Sequence, residues 1–259
     1  MQSKKLAPKL VLAGLALSGA AFAQTAAPQP ESTISYNIGA VTDYRYRGIS
    51  QSGRRPALQG GIDYAHSSGF YLGTWASTIR WIKDSSIPPV ASAKGPVEVD
   101  IYGGYKGSVG DFGYDVGGLY YWYVGNSLDN ISGENANTFE VYGALTFNIF
   151  TAKYSHSVTH LFGTPNSKNS GYLDLSAAID LGNGFSLTPH VGWQRIRNFG
   201  TYRDYSLTAA KDFGGGLVVS VAVVGTNWED RFGFPYMLPG SGTRDLAKAG
   251  LVAGIKKTF

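Results

Sequence analysis

The chain has 259 residues, 15% of them charged, with 35 glycines, 17 tyrosines and no cysteine. The charged fraction lies below the roughly 25% of soluble domains, and the missing cysteines exclude disulfides, cysteine-containing zinc sites and thiol catalysis. The formal charge of +4 falls to +1 when the three N-terminal lysines are removed, and this removes the main argument for nucleic-acid binding.

The first 23 residues have the features of a cleaved signal peptide. Three lysines precede an apolar run at 10–17, and the small-residue motif at 21–23 is typical of a cleavage site. We therefore expect an exported protein, with a flexible periplasmic lead-in over residues 24–31. The remaining sequence has no run of about 18 apolar residues, so it predicts no membrane-spanning helix.

From residue 33 onward, apolar and polar residues alternate with a period of two, which is the signature of a β-strand. The first such segment runs from Thr33 to Gln51 and predicts one long strand, with Tyr44 and Tyr46 on its apolar face. The pattern recurs near 58–64, 70–81, 97–106, 112–122, 139–149, 152–159, 173–181, 185–194, 205–209, 217–226 and 249–259. These segments predict about twelve strands, the even number expected of a closed bacterial barrel.

Short and long connections alternate strictly along the chain. The short ones lie near 67–69, 108–111, 150–151, 182–184 and 213–216. The longer ones, rich in Gly, Pro, Asn and Ser, lie near 48–56, 82–96, 124–137, 160–170, 197–203 and 227–246. This alternation predicts an all-β fold: a transmembrane, antiparallel, up-and-down barrel of the outer-membrane type, forming one domain over residues 32–259 with both termini in the periplasm.

The apolar faces are predicted to point outward, toward lipid. A soluble barrel with an apolar interior also alternates, but the apolar faces here are almost free of charge. Aromatic residues near the strand ends predict interfacial girdles: Tyr44, Tyr46, Phe112, Tyr120, Trp122, Phe185 and Trp193. The chain ends in Phe259, which resembles the C-terminal signal of outer-membrane barrels. We therefore expect the barrel-assembly machinery, outer-membrane lipid and lipopolysaccharide as partners.

Three segments of the first third carry a family resemblance. They are DYRYRGISQ at 43–51, PALQGGIDY at 56–64 and GFYLGTWAS at 69–77. With these segments the chain resembles the TorF family of proteobacterial porins, and the resemblance extends over the mature chain. It implies an outer-membrane β-barrel that acts as a pore, without an established substrate or catalytic residues.

The polar faces are predicted to line the pore. The candidate lining residues are Asp43, Arg45, Arg47, Asp63, Glu98, Asp100, Asp115, Glu140, Lys153, Asp174 and Asp204, with Lys106, Asp180 and Lys248 as further charges. Their acidic excess predicts a narrow passage with a mild preference for cations, unless the charges pair and close the interior. The two arginines either bind anionic solutes or are neutralised by Asp43 and neighbouring carboxylates.

The loop at 227–245 is unusually aromatic and is a candidate constriction loop. Its candidate residues are Trp228, Phe232, Phe234 and Tyr236. So much aromatic surface is expected to be covered. We expect the loop to fold into the mouth of the barrel; stacking against sugars and covering the rim are the alternatives.

We expect passive diffusion of small hydrophilic solutes or ions through the barrel. One alternative is a non-conducting structural or adhesive barrel that acts through its loops; a second is a lipid-modifying enzyme. The enzyme hypothesis depends on His156 and His160, but adjacent strand residues point to opposite faces, which separates His156 from Ser155 and Ser157. His66 precedes two serines at a predicted periplasmic turn. No catalytic residue, metal site or cofactor is therefore predicted.

Overall fold

A computed structural model describes residues 30–259. The predicted signal peptide, and all of the lead-in except its last two residues, lie outside the described residues. The main strands are Ser32–Val41 (β1), Ala57–His66 (β2), Phe70–Thr78 (β3), Val97–Val109 (β4), Phe112–Tyr123 (β5), Thr138–Phe147 (β6), Phe150–Ser157 (β7), Gly171–Ala177 continued by Ile179–Gly182 (β8), Phe185–Ile196 (β9), Gly200–Asp212 (β10), Leu217–Thr226 (β11) and Gly250–Thr258 (β12). Each strand pairs antiparallel with the next, and β12 pairs with β1. The fold is thus a closed barrel of twelve strands, as predicted.

The outer and inner surfaces of the barrel follow the alternation of the sequence. Ile38 and Leu58 point outward and are 60% and 67% exposed, whereas Glu98 and Glu140 point inward and are 2% exposed. This orientation, with the apolar side outward, is the reverse of a soluble barrel and matches the prediction. Phe259 continues β12, where its backbone N–H donates to the Tyr36 carbonyl oxygen at 2.8 Å.

The two ends of the barrel differ in the length of their connections. The short-turn rim consists of residues 67–69, 110–111, 148–149, 183–184 and 213–216. The long-loop rim consists of residues 42–56, 79–96, 124–137, 158–170, 197–199 and 227–249. One connection is shorter than predicted, because Gly200–Arg203 continue the pairing of β10 with β9.

The prediction of one strand from Thr33 to Gln51 is wrong. Strand β1 ends at Val41, and the chain then forms a small hairpin in which Arg45–Tyr46 pairs with Ile49–Ser50. The two residues of its turn, Arg47 and Gly48, have φ of 47° and 79°. Positive φ at both positions is the geometry of tight two-residue hairpin turns, and it favours glycine. We call residues 45–50 the inner hairpin.

Tyr44 and Tyr46 are therefore not part of an outer aromatic girdle. Tyr44 is 3% exposed, and Tyr46 packs against the same buried cluster inside the barrel. Of the predicted girdle residues, Phe112, Trp122 and Phe185 are exposed on the outer surface. The two tyrosines turn inward because the chain leaves the barrel wall after β1.

The long loops carry short helices and fill the long-loop end of the barrel. The helices are Trp81–Asp84 (α1), Asp129–Ser132 (α2) and Trp228–Phe232 (α3), and none in residues 30–259 is long and apolar enough to cross a membrane. Two clusters of buried side chains hold the loops in place. One contains Trp75, Trp81, Ile82, Tyr121, Tyr123 and Leu128; the other contains Ile49, Tyr202, Trp228 and Leu246.

Candidate channel interior

The inner hairpin lies across the barrel and carries Arg47 at its tip. The Arg47 guanidinium donates from Nη2 to both carboxylate oxygens of Glu140, at 2.7 and 3.0 Å. Its Nη1 donates to Oε1 of Gln194 at 2.5 Å. The side chains of Arg47 and Glu140 are 5% and 2% exposed, so water screens this ion pair little. The contact joins the hairpin to strands β6 and β9.

Further contacts fix the hairpin on other walls of the barrel. The guanidinium carbon of Arg47 lies 4.2 Å from the centre of the Tyr172 ring, and the Tyr202 hydroxyl donates to the Arg47 carbonyl oxygen at 3.2 Å. A side chain on Gly48 would collide with Thr226 and lie 2.8 Å from Cβ of Asp204. Only glycine therefore allows this close approach to β10 and β11.

The arginines of the hairpin are both neutralised by carboxylates. Arg45 Nε donates to Asp43 Oδ2 at 2.8 Å, and Arg47 pairs with Glu140. This arrangement corresponds to the charge-neutralising alternative for the two arginines. It also satisfies the rule that charges removed from water are paired and hydrogen-bonded.

Two cavities lie on either side of the inner hairpin. The lower cavity has a volume of about 1220 Å³, and its lining includes short-turn residues such as Gly184 and Gly214. The upper chamber has a volume of about 260 Å³, and its lining includes long-loop residues such as Trp81 and Phe162. Tyr46 and Arg47 belong to the linings of both. The hairpin tip is thus the point at which the two spaces meet.

Tyrosine hydroxyls stabilise the inward carboxylates. Each pair joins two strands, or a loop and a strand: Tyr44–Glu98, Tyr71–Asp115, Tyr102–Asp63, Tyr121–Glu140 and Tyr172–Asp204. A carboxylate away from bulk water needs such donors, because an unpaired charge in a low-dielectric interior is costly. The pairs hold neighbouring parts of the wall in a fixed arrangement.

Glycines allow inward-facing tyrosine rings to pack closely against the backbone of the barrel wall. A side chain at Gly73 would collide with the ring of Tyr102, and one at Gly117 would collide with Tyr142. The same relation holds for Gly192 and Tyr172. These tyrosine rings therefore pack against glycine backbone, in space that a side chain would otherwise occupy.

The structure brings most of the predicted lining residues to the lower cavity. Those that line it are Asp43, Arg45, Arg47, Asp63, Asp100, Lys153, Asp174 and Asp204, together with Lys106. Glu98, Asp115 and Glu140 also point inward, but they are covered by their hydrogen-bond partners. Whether these residues line a conducting pore remains a prediction.

Two charges of the predicted polar faces lie elsewhere. Asp180 is exposed at the short-turn rim, where its Oδ1 accepts from the backbone N–H of Gly182 at 2.8 Å. Lys248 is exposed in the loop before β12. Asp180 keeps the regular register of β8, opposite Ser186, and lies outside the lower cavity because it is close to the end of that strand.

Three acidic or basic residues of the lower cavity, His190, Asp212 and Lys256, are absent from the predicted lining. Lys256 lines it, as strict alternation after the outward-facing Ile255 indicates. His190 also lines it, with Nε2 at 2.9 Å from Asp174 and Nδ1 at 3.7 Å from Asp204. The sequence places His190 on the polar face, but it does not bring the two aspartates together.

The predicted constriction residues occupy two positions at the long-loop rim. Trp228 and Tyr236 line the upper chamber, with their ring centres 4.7 Å apart. Phe232 and Phe234 pack against the Trp228 ring, with ring centres at 4.4 and 6.4 Å. Burial raises the pKa of Tyr236, so its hydroxyl stays protonated at neutral pH.

The histidines considered for catalysis do not form a serine triad. His156 lies on the outer side of β7, with Asn169 as its partner at 3.3 Å, while Ser155 and Ser157 are buried on the inner side. His160 contacts Glu134 at 2.7 Å in the loops. In the described part of the chain, no three or more His, Asp or Glu side chains are arranged to hold a metal ion.

The chain belongs to a bacterial family. Residues 24–259 match the family described as "Bacterial protein of unknown function (Gcw_chp)", and no curated protein matches the sequence. The structure is similar to that of the KdgM porin, with a TM-score of 0.53 and 8% identity over 88% of this chain and 99% of the other. The NanC porin is similar too, with a TM-score of 0.52 and 9% identity over 88% and 99%.

Proposed function

We propose that this protein is a porin-like channel of the bacterial outer membrane for small hydrophilic solutes or ions. The observation that carries the proposal is the pair of cavities that meet at Tyr46 and Arg47. A solute travels from the upper chamber past the inner hairpin into the lower cavity and leaves through the short-turn rim. The inner hairpin is the constriction, and its docked position is the closed state.

The resemblance to porins supports this proposal. The KdgM porin has also been solved in complex with disordered oligogalacturonate, which is a hydrophilic solute. The TorF-type assignment, the signal peptide and the outer-membrane location are part of the same proposal. So are the partners at the outer surface: lipid, lipopolysaccharide and, through Phe259, the barrel-assembly machinery.

The charge balance of the lower cavity supports weak selectivity. Six carboxylates and five cationic side chains line it, with His190 in addition. Rings of acidic side chains favour cations, but a balance this close leaves only a small excess. We therefore propose a mild preference for cations rather than a strong one.

The experiment is a planar-bilayer recording on refolded residues 24–259. Folding is checked first by the heat-modifiable migration that closed barrels show on gels. We expect stepwise currents. In a salt gradient, their reversal potential should indicate a slight preference for cations. Folded protein that gives no current, with the hairpin docked or released by mutation, would refute the channel.

The second candidate is a non-conducting structural barrel. It is favoured by one observation, the buried Arg47–Glu140 ion pair that ties the hairpin across the interior. A variant with this pair removed separates the two functions, because a gated channel conducts more when the hairpin is released and a permanently filled barrel does not. No arrangement in the described residues supports the lipid-modifying enzyme.

A further inference from the structure

The upper chamber has an unusual lining for a passage of ions. Eight of its sixteen lining residues are Tyr, Trp or Phe, and Arg47 is the one charged residue among them. Its volume of about 260 Å³ is below the roughly 300–1000 Å³ of sites for drug-sized ligands. The chamber therefore has room for about one ring, with aromatic side chains around it and one positive charge at its inner end.

Three hydrogen-bond donors on chamber residues lack an acceptor. Nε1 of Trp81, Nε1 of Trp228 and Nε of Arg47 are buried without a hydrogen-bond partner. Most buried donors in proteins are paired, and an unpaired one is destabilising. All three are donors, so the complementary ligand carries acceptor oxygens.

The Arg47 guanidinium retains capacity for a second anion. It has five N–H donors, of which Nη1 serves Gln194 and Nη2 serves Glu140. Planar, charge-assisted contacts of this kind are the ones that recognise carboxylates. A carboxylate in the chamber would share the guanidinium with Glu140 and so weaken the bond that holds the hairpin.

We propose that the upper chamber binds a single-ring carboxylate, with the ring against aromatic side chains such as Trp228 and Tyr236 and the carboxylate on Arg47. This inference rests on the proposed channel function, because it assigns a solute class to the same passage. Aromatic acids and sugar acids share this chemistry: both carry one compact ring and one carboxylate.

The test is isothermal titration calorimetry of the refolded mature chain in detergent, corrected for heats into empty micelles. Benzoate carries ring and charge, benzyl alcohol the ring alone, and acetate the charge alone. Benzoate is expected to bind at least about tenfold more tightly than either of the others, since a charge-assisted contact and the burial and stacking of one ring together each contribute about that much. Equal binding of acetate or benzyl alcohol, or binding of neither benzoate nor glucuronate at millimolar concentration, would overturn the proposal.

Two variants locate the site. Arg47→Gln is expected to weaken benzoate binding by about tenfold or more. Arg55→Gln removes an exposed arginine of the same loop that lines neither cavity, and binding should be unchanged. Unaltered affinity in folded Arg47→Gln protein would contradict the assignment. The comparison of the three ligands on the unmutated chain stands even when a variant does not fold.

A fourth ligand and the bilayer recording separate the remaining questions. Glucuronate carries a hydroxylated ring, so its affinity relative to benzoate distinguishes a sugar acid from an aromatic acid, both within the proposed class. Calorimetry requires no transport. If a ligand of the proposed class binds but no variant carries current, the binding site in the chamber is supported and the channel function is refuted. If current flows but no such ligand binds, the binding site is refuted and the channel function is supported.

Discussion

Replacing Glu140 by Gln is the sharpest test of the inner hairpin as the constriction. The change keeps the size of the side chain but leaves the Arg47 guanidinium without its carboxylate, in a site where both side chains are at most 5% exposed. Removing one partner of a buried ion pair costs about 3–5 kcal/mol. At about 1.4 kcal/mol per tenfold, the released state of the hairpin gains at least about 10²-fold in population.

Single-channel recording reads out this shift directly. We expect Glu140→Gln protein to show a higher open probability, or a larger conductance, than the unmutated chain. The matched control is Glu134→Gln, because Glu134 lies in a loop at the same rim, has a side chain 35% exposed and contacts His160 rather than the hairpin. Folded Glu140→Gln protein with the same conductance as the control would refute the role of the hairpin.

Three further predictions follow from the geometry of the interior. Gly48→Ala is expected to displace the hairpin and raise conductance, because Gly48 has a φ of 79° and a side chain there would collide with Thr226. The control is Gly110→Ala: Gly110 also has positive φ, but a side chain there would meet no atom within 4 Å, so conductance should be unchanged. Tyr102→Phe removes the hydroxyl that donates to Asp63 and should lower the free energy of unfolding in urea by about 1–3 kcal/mol. An unchanged free energy of unfolding would show that the tyrosine–carboxylate pairs do not stabilise the barrel. Asp100→Lys in the lower cavity should move the reversal potential toward anions, and an unmoved potential would exclude this cavity from the ion path.

The strands of the barrel wall can be predicted from sequence, because the requirement that shapes each strand acts on residues that are neighbours in the chain. Each strand must expose one apolar and one polar face, so a period of two is visible in residues such as Ile38, Leu58, Glu98 and Glu140. The one further sequence pattern that indicates a closed barrel is the alternation of short and long connections. Lys256 obeys the same rule, since it follows the outward-facing Ile255 and points inward.

The inner hairpin is not predictable in this way. The residues at 43–47 continue the alternation of β1, and a strand in the wall and a hairpin inside the barrel have the same period. The local signal that separates them is the turn at Arg47-Gly48, with its preference for glycine at positive φ. What fixes the hairpin is its set of partners on β6, β9 and β10, which come together only in the folded barrel.

The position of the hairpin in the chain has a consequence for assembly. Arg47 is made early, but its partners Glu140 and Gln194 follow 93 and 147 residues later. The hairpin therefore has no partners in the wall until strands β6 and β9 have been made and placed in the barrel. The strand pair that closes the wall, β1 with β12, is separated by still more of the chain, since Asn37 pairs with Thr258. The hairpin segment must thus be carried undocked while much of the wall is made.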